Sequence, residues 1–130
     1  MPKSANPEIP EFYVYEFSAN AIPFYIGIGR AERASDRLRY VQQLMARQKQ
    51  GKPVKWTLSN SVIATLIRRK IKIKLRYVRK GIPRDQARQI EHGAIQRRSN
   101  QGHLLANIQL NPNIQKSPKP ILDRLLKNDA

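Results

Sequence analysis

The chain has no cysteine, which excludes disulfide bridges and thiolate metal sites. Nor does it contain an uninterrupted apolar run of the roughly 20 residues that crossing a bilayer requires. The opening residues MPKSANPEIP lack the apolar segment of a secretory signal, so an intracellular location, cytoplasmic or nucleoid-associated, is the expectation. Acidic residues are scarce: 9 Asp and Glu stand against 25 Lys and Arg, a formal net charge of +16 over 130 residues. So large an excess on a small body spreads positive potential over much of its surface and points to a polyanionic partner. Nucleic acid fits that role better than a membrane surface, because the basic residues are dispersed among patterned segments. The length is that of one domain with one core.

Residues 1 to 11, with three prolines among polar residues, read as a flexible leader. Phe12 to Phe17 and Phe24 to Ile28 are rich in aromatic and β-branched residues and are separated by the turn formers SANAIP, which describes an antiparallel hairpin. Alternation puts Tyr13, Tyr15 and Phe17 on one face of the first strand and Tyr25 with Gly27 on one face of the second. Ala34, Leu38, Val41, Leu44 and Met45 recur at helical spacing up to Gly51. A second helical stripe, Leu58, Val62, Ile63, Leu66 and Ile67, follows Thr57 or Ser59 as N-cap. The run IKIKLRY alternates strictly and predicts a strand with Ile71, Ile73, Leu75 and Tyr77 buried and Lys72, Lys74 and Arg76 on a basic face, either solvated or facing phosphates. A third helix begins at Pro83 and runs to about Asn100, with Gly93 in its interior hinting at close packing. Residues 111 to 130 read as a C-terminal tail with a short helix. The expected fold is α+β: a three-stranded, largely antiparallel sheet flanked by helices in the order β-β-α-α-β-α, occupying residues 12 to 110.

One carboxylate is out of place. At about 100° per residue, Ala87, Ile90, Ala94 and Ile95 define the inward face of the third helix, and Glu91 falls within that arc. An ionised group turned toward a core must be paired or must coordinate a metal. Glu91 therefore meets an arginine as a structural ion pair, or it faces a pocket that holds a cation.

The stretches FYVYEF, PFYIGIGRAER and ARQIEHGAI, followed by LLAN, stand in the order of four motifs that together resemble the GIY-YIG endonucleases. The likeness is to a subgroup whose first motif begins with Tyr, and it spans Phe12 to Asn107. The resemblance implies a phosphodiester hydrolase acting on DNA, branched or otherwise structured DNA included, with RNA a lesser candidate and with one Mg²⁺ or Mn²⁺ ion held by Glu91. It implies that Tyr15 activates or orients the attacking water, that Tyr25 positions it or binds the scissile phosphate, and that Arg33, with Arg37 as competitor, stabilises phosphate charge. A general-base Tyr15 needs cationic neighbours to favour its phenolate. Asn107, with Asn100 as a weaker option, corresponds to the family's supporting asparagine. Tyr13, Gly27 and His92 are supporting residues, and Arg30, Arg37, Lys72, Lys74 and Arg76 are candidate DNA contacts.

Many members of that family carry lysine directly after Tyr-Ile-Gly, where this chain has Ile28, with Arg30 two residues on. A catalytically inactive DNA- or RNA-binding protein on the same scaffold is the alternative expectation. His92 and His103 have no Cys or Asp partners at ligand spacing and form no metal site by themselves.

Overall fold

A computed structural model describes residues 10–127; the leader foreseen for residues 1 to 11 therefore falls, as far as residue 9, outside the described residues. The elements are β1 (Phe12–Ala19), β2 (Ile22–Arg30), α1 (Arg33–Lys49), α2 (Leu58–Arg68), β3 (Lys74–Ile82), α3 (Arg84–Asn100) and α4 (Lys119–Leu125). They form an α+β domain whose three-stranded antiparallel sheet has the order β2-β1-β3. Among the described residues no helix is long and apolar enough to cross a membrane.

The hairpin is tighter than the six-residue break foreseen. Ala19 pairs with Ile22, so Asn20 and Ala21 alone make the turn, both with positive φ (51° and 66°). Two such residues are what a type I′ turn needs to match the twist of its strands. The Asn20 amide also donates to the Leu125 carbonyl at 2.8 Å, tying the end of α4 to the turn.

Strand alternation divides the interior in two. Tyr13, Tyr15 and Phe17 join Phe24, Val41, Val62, Ile63 and Leu66 in one core, between the sheet and helices α1 and α2. Ile121 and Leu125 of α4 are buried in that same core, so this short helix is packed on the domain. Phe12, Val14, Ile26 and Ile82 face the other way, onto Ala87, Ala94 and Ile95 of α3. Thr57 is the N-cap of α2, its hydroxyl accepting from the Asn60 amide at 3.3 Å.

Two expectations are corrected. The third strand is displaced from residues 71–77 to Lys74–Ile82, and Tyr77 is 38% exposed rather than buried. Ile71, Ile73 and Leu75 keep their alternation and pack partly buried against the first core, but the ladder starts only where Ser18 faces Lys74. Alternation reports which side chains are covered; the position of the hydrogen-bonding neighbour sets where a strand begins. Gly93 is not at a close approach: a Cβ built there meets open space.

Candidate functional site

Two glycines determine where the tyrosines lie. Tyr15 faces Gly27 and Tyr13 faces Gly29 across the hairpin, and each ring lies over its partner so closely that a Cβ on Gly27 would stand 2.7 Å from the Tyr15 ring and hydroxyl, and one on Gly29 2.9 Å from Tyr13. Both rings are buried, so a Cβ there would have to displace packed atoms. Gly27→Ala is expected to lower stability by about 1–3 kcal/mol, the scale of overpacking a filled core. A urea-unfolding midpoint equal to that of the wild type would show that the ring has room to move.

Tyr13 does structural work on α1. Its hydroxyl donates to the Ala31 carbonyl at 2.9 Å and accepts from the Ala34 amide at 3.0 Å. The N-cap, Glu32, makes no side-chain capping bond, so the phenol supplies the acceptor that a first-turn amide lacks. Burial pushes the Tyr13 pKa up against the lowering effect of that amide.

Tyr15 is 3% exposed, and its ring lies 6.2 Å from that of Tyr25. Its phenol is pushed up to about 12, first by burial and then by Tyr25, with Arg37 acting in the opposite direction. The basic surroundings expected to favour a phenolate are thus present as one arginine, and desolvation outweighs it. Arg37 sits 4.3 Å above the Tyr25 ring, donates to the Tyr25 hydroxyl at 2.7 Å, and is held from α2 by Ser59 and Asn60. It is a fastener between three elements. Arg33, the first residue of α1, is exposed.

These residues border a concavity that wraps around the β2 edge of the sheet. Tyr15, Tyr25 and Arg37 line a hollow on the α1–α2 side. On the α3 side a hollow of about 730 Å³ is lined by Glu91, His92, Arg30, Arg33, Arg84 and Arg88. Ile28 and Arg33 belong to both. A third, smaller hollow brings Tyr25, Ser59, Asn107 and Glu91 to one wall. Residues from opposite faces of the sheet therefore meet at its edge, with Ile28 at the crossing.

Glu91 is half-buried and, among the described residues, makes no hydrogen bond or ion pair. Burial pushes its carboxyl above the usual carboxylate range, opposed by the charges of Arg88 and His92. Of the two environments open to it, the described residues supply no ion pair, and the pocket is present. Among the described residues no three His, Cys, Asp or Glu side chains cluster. A cation held by Glu91 would have one protein carboxylate there and would need other oxygen donors such as water for the rest, a donor set that suits Mg²⁺.

Asn107 is a buried clamp. Its Oδ1 accepts from the Ile26 amide at 3.1 Å and its Nδ2 donates to the Ile26 carbonyl at 2.6 Å, while the Ala106 amide donates to the Phe24 carbonyl at 2.7 Å. The segment thereby covers the outer edge of β2, where a strand would otherwise leave backbone groups open. It fixes Tyr25 and Gly27 from either side of Ile26.

The other candidate contacts are scattered. Arg30 lines the Glu91 hollow, donates to Glu11 at 3.0 Å and lies over the Phe12 ring. Lys72 and Lys74 are exposed, but Lys74 opens β3 and Lys72 precedes it, and β3 is the sheet edge opposite β2. Arg76 is occupied by Glu16, which is 4% exposed and also takes the Arg98 fork, at 2.7 and 3.1 Å. Arg84 and Arg88 were not singled out in the sequence, although spacings of four and three put them on one helix face with Glu91. Ser59 and Asn60 gave no local signal beyond a helix start.

No family model, curated protein or solved structure matches the chain, so the likeness to GIY-YIG endonucleases rests on the four motifs and on the residues they bring to this edge.

Proposed function

We propose that the protein is a metal-dependent DNA endonuclease working at the β2 edge. The observation that carries this reading is Glu91: a half-buried carboxylate with no hydrogen bond or ion pair among the described residues, in a hollow that also holds four arginines and shares Ile28 and Arg33 with the one lined by Tyr15 and Tyr25. A basic hollow needs no acid to bind phosphate, and the acid repels phosphate unless a cation lies between them.

Mg²⁺ or Mn²⁺ held by Glu91 would supply positive charge to the phosphate oxygens. Arg33, where the hollows join, meets the charge that develops on the phosphate with a permanently charged fork. Arg37, fastened below Tyr25, is a positioning residue. Because Arg37 occupies an acceptor site of the Tyr25 oxygen, the Tyr25 hydroxyl hydrogen is left to donate to the phosphate or to the water. Tyr15, protonated at neutral pH, orients the attacking water by hydrogen bonding. In the reaction the water oxygen bonds to phosphorus, one P–O ester bond breaks, and the water's proton passes to solvent while the leaving oxygen is protonated.

The test is incubation of supercoiled plasmid and of branched DNA with the purified protein in Mg²⁺, in Mn²⁺ and in EDTA. Nicking in either metal and none in EDTA is expected, with binding that weakens linearly in log–log coordinates as salt rises. Salt-sensitive binding without cleavage in any metal would overturn the nuclease reading. It would favour a binding protein, in keeping with the apolar Ile28 at the centre of the concavity.

A further inference from the structure

The loop after α3 turns two apolar side chains toward solvent beside the most basic part of the concavity. Ile108 is 54% exposed and Leu110 is 45% exposed. Scattered exposed hydrophobics need no explanation, but Leu110 also has φ 64°, a left-handed conformation that is an outlier for a bulky side chain. Such strain persists only where the surroundings impose it. They do so here from two sides. Gln96 of α3 donates to the Leu110 carbonyl at 3.1 Å. The buried Asn111 donates to the Asn107 and Leu105 carbonyls at 2.7 and 3.2 Å and accepts from the Asn113 amide at 2.9 Å. The loop is thus braced by the same asparagine segment that clamps β2.

Leu110 borders both the hollow of Glu91 and its arginines and the one shared by Glu91 and Tyr25; Ile108 borders the latter. An occupant of this place must meet Arg33, Arg84 and Arg88 with negative charge and present flat apolar surface to Ile108 and Leu110. DNA does both, with phosphates outside and stacked bases within. Apolar side chains inserted between base steps unstack and kink a duplex. We propose that Ile108 and Leu110 form a wedge that unstacks the base step beside the phosphate held near Glu91. This rests on the DNA-binding part of the function proposed above. It makes the protein a reader of deformability, favouring DNA in which stacking is already weakened.

The experiment uses the full chain and short duplexes carrying 2-aminopurine at successive positions, whose fluorescence rises on unstacking, with binding followed separately by anisotropy of an end label. Wild type is expected to bind, to raise fluorescence several-fold at one step, and to prefer a mismatched over a matched duplex by about tenfold, since the mismatch removes part of the unstacking cost. Leu110→Gly relieves the backbone strain and so keeps the fold. It is expected to retain the salt slope of binding while losing the fluorescence rise, and Ile108→Ser to lose part of it. Leu110→Asn, also tolerant of positive φ, is expected to behave like Leu110→Gly. A wild type that binds but unstacks no position, or a Leu110→Gly protein with an undiminished rise, would overturn the wedge and leave the DNA reading standing. A wild type that binds no DNA would overturn both.

Discussion

Glu91→Ala is expected to lower metal-dependent cleavage by about 10³-fold or more, the equivalent of the several kcal/mol that a cation supplies at a reacting phosphate. The fold should survive, because among the described residues the carboxylate makes no hydrogen bond or ion pair whose loss would leave a buried group stranded. DNA binding should survive as well, since Arg30, Arg33, Arg84 and Arg88 remain. The carboxyl's raised pKa adds a second readout with a definite sign. Between the ordinary carboxylate value and the raised one, the folded state binds more protons than the unfolded state, so stability falls as pH rises through that window. Above it, in the absence of metal, Glu91→Gln is expected to be more stable than wild type. Added Mg²⁺ should raise the Tm of wild type but not that of Glu91→Gln, and the rise should fade as pH falls through the raised pKa. A variant that cleaves like wild type would remove Glu91 from the site, and equal Mg²⁺ shifts in both proteins would remove the cation from it.

For Tyr15→Phe the expected loss is about 10²- to 10³-fold in cleavage rate, the span for deleting one preorganised hydrogen-bonding group at a reacting centre. The ring stays, packed on Gly27 and edge-on to Phe17, so Tm should change little. The pH dependence of stability separates this residue from a merely structural one. With its folded pKa at about 12 against an ordinary 10, Tyr15 binds more protons folded than unfolded across that interval, and stability declines as pH rises through it. Tyr15→Phe removes that decline and is expected to shift alkaline unfolding to higher pH, measured by circular dichroism. Wild-type cleavage by the variant would exclude the hydroxyl from the chemistry. An unchanged alkaline transition would mean that the phenol is not desolvated as its burial requires.

Much of the fold was legible because it is local. Helical spacing in α1 and α2 and the aromatic and β-branched composition of the hairpin describe which side chains are covered, and these appear as buried faces in the two cores. The odd position of Glu91 was legible for the same reason, since a helix wheel needs only neighbours within two turns. Where the reading slipped, at β3 and at Gly93, the missing information belonged to other segments: the neighbouring β1 ladder in one case, empty space in the other.

By itself, then, the sequence determined the charge, the element order, the faces of the helices and the presence of two tyrosines and one misplaced acid, because each of these depends on residues a few positions apart. Only the tertiary structure decided that the tyrosines and Glu91, which belong to opposite faces of the sheet, meet around the β2 edge with Ile28 between them. It also decided that Arg37 is fastened by Ser59 and Asn60, that Arg76 answers Glu16, and that Asn107 clamps Ile26. Those pairings span from 22 residues, for Arg37 and Ser59, to 81, for Asn107 and Ile26. Local periodicity carries no signal for contacts that exist only after the chain has folded back on itself.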